Sequence, residues 1–287
     1  MPEGDTVYLA ARRLDQALAG RTLTHTDFRV PNLATVDLSG RAVRGVHSRG
    51  KHLLFRFDDH STLHTHFRMD GTWHLYRSGE AWRGGPAHSI RIILNAGDRV
   101  AVGYRLHDIA LVPTPQEDAL VGHLGPDICA DDWDEGEALR RLRSAKDRSI
   151  ANALVDQRII AGIGNIYRCE SMFITCVAPD TPVDRLDDDS LHRVVRTARE
   201  LLWRNRDRAS QSTTGDERRA HFVYGRRRAR CYRCNSPVRM ITADATEPLR
   251  TDIAGASERG SGNEQTVFWC PTCQPSSDAS PMEREAN

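Results

Sequence analysis

MPEGDTVYLAARRLDQALAG, residues 1–20, starts an amphipathic helix within a few residues of the first amino acid. Val7, Ala10, Ala11, Leu14, Ala17 and Leu18 recur at helical spacing, and Gly20 follows as a stop. Most chain ends fray, yet this one is tied directly to an ordered element. Trimming Met1 would leave the secondary amine of Pro2 as the first group. An α-amine has a reference pKa of about 7.7–8.0, so a substantial fraction is unprotonated near neutrality and can act as a nucleophile.

Beyond Gly20 the texture changes. Short alternating runs follow from Thr22 to about Val112: TLTHTDFRV, AVRGVHSRGKHLLFRF, STLHTHFRM, TWHLYR, SIRIILNA and RVAVGYRLHDIALV. Asp-Asp, Gly and Asn-Ala-Gly-Asp turns separate them, which predicts an antiparallel sandwich or barrel. From about Trp133 to Asn205 the pattern is helical, in the pieces EGEALRRLRS, RSIANALVDQRII, GNIYRCESMFITC and DDSLHRVVRTARELLWRN. A short strand is expected at AHFVYGR, and a disordered tail from Gln274. With 287 residues the chain suits two domains better than one.

Net charge is only +1, but its distribution is uneven. Arg193 to Arg239 holds fourteen arginines against four acids, a basic surface suited to phosphate. Only Lys51 and Lys146 of the forty basic residues are lysines. Of the two cation types, only the ammonium can lose its proton near neutrality, which singles these two out. No run approaches the roughly 18 apolar residues of a membrane span, and no secretory leader is present, so a cytoplasmic protein without a membrane partner is expected. Of seven cysteines, Cys231-Tyr-Arg-Cys234 and Cys270-Pro-Thr-Cys273 form two knuckles suited to one tetrahedral structural Zn2+ rather than a redox dithiol. The knuckles lie 35 residues apart, and much of the segment between them reads as an inserted loop. Cys129, Cys169 and Cys176 read as small buried apolar residues.

Taken in order, these parts resemble the formamidopyrimidine-DNA glycosylase/endonuclease VIII family of DNA repair enzymes. MPEG at the start, SRGKHLL around Lys51, GPD at Gly125, LVDQRIIAGIGNIY around Asn165, VYGR at Val223 and FWCPTCQ at the second knuckle carry the likeness, and MPEG leans to the endonuclease VIII branch. The resemblance implies an α+β fold: an N-terminal β-sandwich with a flanking helix (1–130), a helix–two-turn–helix domain (131–220), a four-cysteine zinc finger with a long insertion (221–275) and a tail (276–287). It also implies a monomer, associated with the nucleoid, acting on double-stranded DNA that contains a damaged base or an abasic site. The implied activity is a bifunctional glycosylase and AP lyase that removes oxidised pyrimidines and cuts the strand by β,δ-elimination. A purine-branch glycosylase for 8-oxoguanine or ring-opened purines is one alternative, and a non-catalytic zinc-finger DNA-binding protein another.

Carried over position by position, Pro2 matches the family's nucleophile, Glu3 its acid/base and Lys51 the lysine that assists elimination and contacts phosphate. A glycosylase must flip its nucleotide and fill the gap. Met69 matches the apolar wedge, with Arg68 where endonuclease VIII has glutamine and Asp70 where it has an aromatic residue. Asn165 matches the phosphate-binding asparagine at a helix start, and His123 takes the slot of a phosphate-binding arginine. His64 and His66 alternate on one strand face, which reads as packing rather than a metal pair. Three departures stand out. Asp5 and Thr6 replace Pro-Glu and remove a carboxylate. Gln265 stands where the family finger has its phosphate-gripping arginine, leaving Arg259, or Arg250, as the candidate substitute. The approach to the finger is short and shows no lesion-capping loop.

Overall fold

Helix α1 (Gly4–Leu18) begins immediately after Glu3 in the computed structural model, which describes residues 2–242 and 266–276. Val7, Ala11, Leu14 and Leu18 form its buried stripe, as the spacing requires. Beneath it lie eight strands: β1 (His25–Phe28), β2 (Val43–Arg49), β3 (His52–Phe57), β4 (Ser61–His66), β5 (Thr72–Arg77), β6 (Ile90–Ala96), β7 (Arg99–Tyr104) and β8 (Asp108–Pro113). They form two separate antiparallel four-stranded sheets, ordered β1-β6-β7-β5 and β2-β3-β4-β8. Two sheets rather than one closed ring make this a sandwich, not a barrel. Val46, Leu53, Phe55 and Leu63 of one sheet share a core with Ile92, Leu94 and Ala101 of the other and with the α1 stripe.

A first compact unit ends at Leu124, and a second begins at Gly125. The short helix α2 (Asp118–Val121) closes the first. The second is built from α3 (Glu135–Ser144), α4 (Ile150–Val155), α5 (Asn165–Ile174) and α6 (Asp188–Asn205). Asp134, Ser149 and Asp187 cap α3, α4 and α6 by accepting backbone N–H groups of their first turns. Gly125 lies so close to the Ile159 carbonyl that a Cβ would sit 2.3 Å from its oxygen, so the Gly-Pro-Asp stretch needs glycine there. A hairpin of β9 (Arg239–Thr242) and β10 (Thr266–Trp269) joins the two cysteine knuckles.

Three expectations are corrected. AHFVYGR forms turns, not a strand. The amides of Phe222, Val223 and Tyr224 donate to the Glu170 carboxylate of α5 at 2.8–2.9 Å, so no neighbouring strand takes them. Gln274 does not start a tail: it is fully buried, accepts from Cys270 N and donates to the Val177 carbonyl at 2.8 Å. Cys129 and Cys169 are buried as expected, but Cys176 is exposed, its thiol 2.9 Å from the Arg233 guanidinium. Arg250, Arg259 and Gln265 lie outside the described residues.

Candidate functional site

The geometry of α1 against β2 decides where the chain's first residues lie. Gly20 N–H donates to the Val43 carbonyl, and Asp15 Oδ1 accepts from Val46 N–H, both at 2.8 Å. Helix and strand therefore run in opposite directions. From Asp15 back to Gly4 the helix covers roughly 16 Å, about the length of extended strand from Val46 to Lys51. Pro2 and Glu3 thus lie at the same end of the sandwich as the β2–β3 hairpin, whose turn is Gly50-Lys51. Glu3 is fully buried, Lys51 is 8% exposed and Pro2 is half-buried. An amine, a carboxylate and an ammonium at one edge can supply nucleophile, proton relay and phosphate contact.

Strand register brings further residues to that edge. His52 pairs with His66, and His66 with Asp108, so the Phe67–Gly71 turn leaves β4 beside the Lys51 hairpin. Gly71 N–H closes this turn on the Phe67 carbonyl, and a Cβ at Gly71 would meet that oxygen at 2.5 Å. The turn carries Arg68 and Met69. Arg68 adopts a left-handed backbone (φ 47°) and grips Asp108 with Nε at 2.6 Å and one Nη at 2.9 Å. Arg68 N–H donates to His66 Nδ1 at 3.1 Å, which puts the neutral ring's proton on Nε2. Met69 is half-buried beside this pair.

Sequence reasoning missed His52. Its Nδ1 lies 2.8 Å from His64 Nε2, the His66 ring is 4.7 Å away, and the exposed His123 ring 6.4 Å away. One signal was available: His52, His64 and His66 fall on facing positions once β3 and β4 are paired in register. Burial pushes all three below the ordinary imidazole value, His64 to about 4 and His66 to about 3, with the charges of neighbouring histidines and Lys51 adding to the effect at His52 and His66. The packing reading of His64 and His66 fits these neutral rings.

In the second unit Gln157 builds the turn that starts α5. Its amide donates to the Val155 and Ile163 carbonyls at 2.8 and 2.9 Å, and its Oε1 accepts from Gly162 N–H. Asn165 then opens α5 with its side chain turned inward. It is 1% exposed, donates to the Thr266 carbonyl at 2.7 Å and accepts from the buried Arg168 at 2.6 Å. The start of α5 is thereby tied to β10 of the finger. Arg168, also missed, is the only basic residue of α5, a helix buried over nearly its whole length, and that was its signal.

Cys231, Cys234, Cys270 and Cys273 bring their four sulfur atoms within 4.8 Å of one another, close enough to share one metal ion. Four thiol donors, with no further candidate ligand grouped with them among the described residues, match a closed structural centre. Arg233 of the first knuckle reaches the C-terminal end of α5, donating to the Phe173 carbonyl at 3.3 Å and lying 4.6 Å over the Phe173 ring.

A two-sheet sandwich with a buried Glu3 and hairpin Lys51, joined to a helical unit with a cysteine finger, defines a class of DNA glycosylase-like folds. Residues 1–106 match the formamidopyrimidine-DNA glycosylase N-terminal domain, and residues 124–215 match the formamidopyrimidine-DNA glycosylase H2TH domain. The chain is 48% identical over 275 residues to the probable endonuclease 8 2 of Streptomyces coelicolor, across 96% of this chain and 94% of that one. It is 40% identical over 279 residues to the DNA-(apurinic or apyrimidinic site) lyase Nei2 of Mycolicibacterium smegmatis, across 96% and 100%. Lactococcus lactis Fpg (MutM), solved with DNA containing N7-benzyl-Fapy-dG, shares the fold with a TM-score of 0.74 at 22% identity, across 96% of this chain and all of that one. The chain belongs to the formamidopyrimidine-DNA glycosylase/endonuclease 8 family.

Proposed function

We propose that the chain is a bifunctional DNA glycosylase and AP lyase of endonuclease 8 type, acting on oxidised pyrimidines in duplex DNA. The observation that carries this reading is the placement of Pro2, Glu3 and Lys51 at one end of the sandwich. Once Met1 is removed, the Pro2 nitrogen attacks C1′ of the damaged nucleoside. The bond from C1′ to the base breaks, and the base leaves with the electron pair and a proton. Glu3 protonates the sugar ring oxygen, the ring opens, and an iminium forms between Pro2 and C1′. That cation makes the C2′ proton acidic. Its removal, assisted by Lys51, expels the 3′ phosphate, and a second elimination expels the 5′ phosphate. Names among the relatives support the reading: endonuclease 8 for one and apurinic or apyrimidinic site lyase for another.

Met69 fills the space left by the flipped nucleotide, and the bidentate Arg68–Asp108 pair stiffens its turn. Arg68 and His123 border the same edge and meet the DNA backbone. Because the Asn165 side chain is committed to Thr266 and Arg168, phosphate at the start of α5 is held chiefly by backbone amides. Arg259 supplies the cation that Gln265 lacks. Cys231, Cys234, Cys270 and Cys273 would hold one zinc ion, which supplies a structural cross-link when bound. A purine-branch specificity is the second reading, favoured by the formamidopyrimidine name of both matching domains. Borohydride reduction in the presence of a duplex carrying one oxidised pyrimidine should trap a covalent adduct at Pro2, and Pro2→Gly should lose most of it. An adduct mapped to Lys51, or active protein that retains Met1, overturns the assignment. Parallel duplexes carrying 8-oxoguanine separate the two specificities.

A further inference from the structure

From Arg218 to Thr242 the sequence holds eight arginines and no acidic residue. None of the eight takes part in the second unit's ion pairs among the described residues. Three of them bond to the fold: Arg233 docks on α5, Arg226 donates to the Phe222 and Arg230 carbonyls, and Arg230 donates one Nη to the Asn235 carbonyl at 3.2 Å. Arg227, Arg228 and Arg230 are exposed. Arg228 sits in left-handed backbone at φ 66°, a conformation that glycine takes without cost, and its N–H is fixed to the Val238 carbonyl at 2.9 Å. A long cation held in a glycine-favouring turn, with its charge facing solvent, calls for a reason other than packing.

Beside these arginines stands Tyr232, one of two large hydrophobic residues that the described surface exposes, at 45%. The Arg226 guanidinium lies 3.5 Å from the centre of its ring and that of Arg219 5.4 Å away. Stacking on Arg226 fixes the ring while leaving much of it to solvent. A rigid aromatic platform ringed by cations that make no ion pair among the described residues has the elements that bind unpaired nucleotides: phosphates meet guanidiniums, and a base lies on the ring. Bases in an intact duplex are stacked on each other and cannot reach such a ring.

We propose that Tyr232 with Arg227, Arg228 and Arg230 forms a single-stranded nucleic-acid binding surface on the finger, a function in addition to the lesion chemistry proposed for the first unit. The test is anisotropy of a labelled oligo-dT with the full metal-loaded chain over a series of salt concentrations. Wild type should bind. Tyr232→Ala should weaken binding roughly fivefold or more, while Tyr232→Phe keeps it. Replacing Arg227, Arg228 and Arg230 together by Ala should lower the slope of log affinity against log salt by about 2. Arg228→Gly should weaken oligo-dT binding while leaving the thermal midpoint unchanged or higher, because glycine suits that turn. The same proteins should still give the Pro2 adduct on lesion duplex, and wild-type failure there would sink the glycosylase reading without touching this one. No oligo-dT binding by wild type, or unaltered affinity and slope in the Tyr232 and triple variants, overturns the proposal. Equal losses on undamaged duplex would assign the patch to duplex backbone and overturn the single-strand assignment.

Discussion

Glu170 shows how much one buried side chain can organise. Its carboxylate accepts from three successive amides, Phe222 to Tyr224, and from the Thr213 hydroxyl. Hydrogen bonds to a charged acceptor contribute about 1.5–3 kcal/mol each, and a buried donor left unmatched costs about as much. Glu170→Gln turns one acceptor into a donor among donors, so it should destabilise the second unit by roughly 2–4 kcal/mol. Urea unfolding followed by the α6 helix signal measures this, and a change below about 0.5 kcal/mol would show that the carboxylate is dispensable. Glu170 was hard to read from sequence, because its partners, Thr213 and Phe222 to Tyr224, lie far along the chain and no local pattern names them. The four cysteines were legible for the opposite reason, because a knuckle spacing states its chemistry locally.

At the scale of elements, the helices were the easiest to read: α1 and α6 announce themselves by period and stops. AHFVYGR misled because its apolar residues mimic a strand, while its amides are claimed by a helix about 50 residues earlier. The β9–β10 hairpin depends on its cysteines in a similar long-range way. Its strands are four residues each, too short to persist alone. Chelation, or Cys231→Ala, should therefore unfold the hairpin and abolish tight DNA binding while the sandwich keeps its strands. One zinc per chain released on thiol modification, with unchanged near-ultraviolet signals from Trp73 and Trp82, is the expected result. Freshly purified protein without stoichiometric zinc would end the idea.

Taken whole, the molecule should respond to acid unevenly. His52, His64 and His66 of the first unit are held below the imidazole value by burial, with Lys51, Arg68, Asp108 and His123 as their charged or titratable neighbours. Groups depressed in the folded state contribute stability above their unfolded value and lose it as pH falls toward the folded one. The window runs from about 6.5 down to about 4 for His64 and about 3 for His66, at no more than about 1.4 kcal/mol per pH unit for each histidine. Burial pushes Asp156 of the second unit up, yet hydrogen bonds from Arg158 and Arg148 hold it at about 2, so its contribution is lost only below the carboxylate range. Relative to the intrinsic exchange rate, which itself slows in acid, amide protection at about pH 5 should thus fall in β3 and β4 before α5, and His64→Gln should flatten the dependence. Protection lost first in α5 would contradict this.

The ties between α5 and the finger have a consequence during synthesis. Asn165 reaches Thr266 across 101 residues and Gln274 reaches Val177 across 97. On a chain made from its first residue onward, α5 is finished long before these partners leave the ribosome. Until then Asn165 and Arg168 lack the Thr266 carbonyl to which both donate, and the nascent chain waits with an open polar seam. A pause or truncation ahead of Thr266 would leave that seam unsealed in an otherwise folded protein, a state that quality-control proteases can recognise.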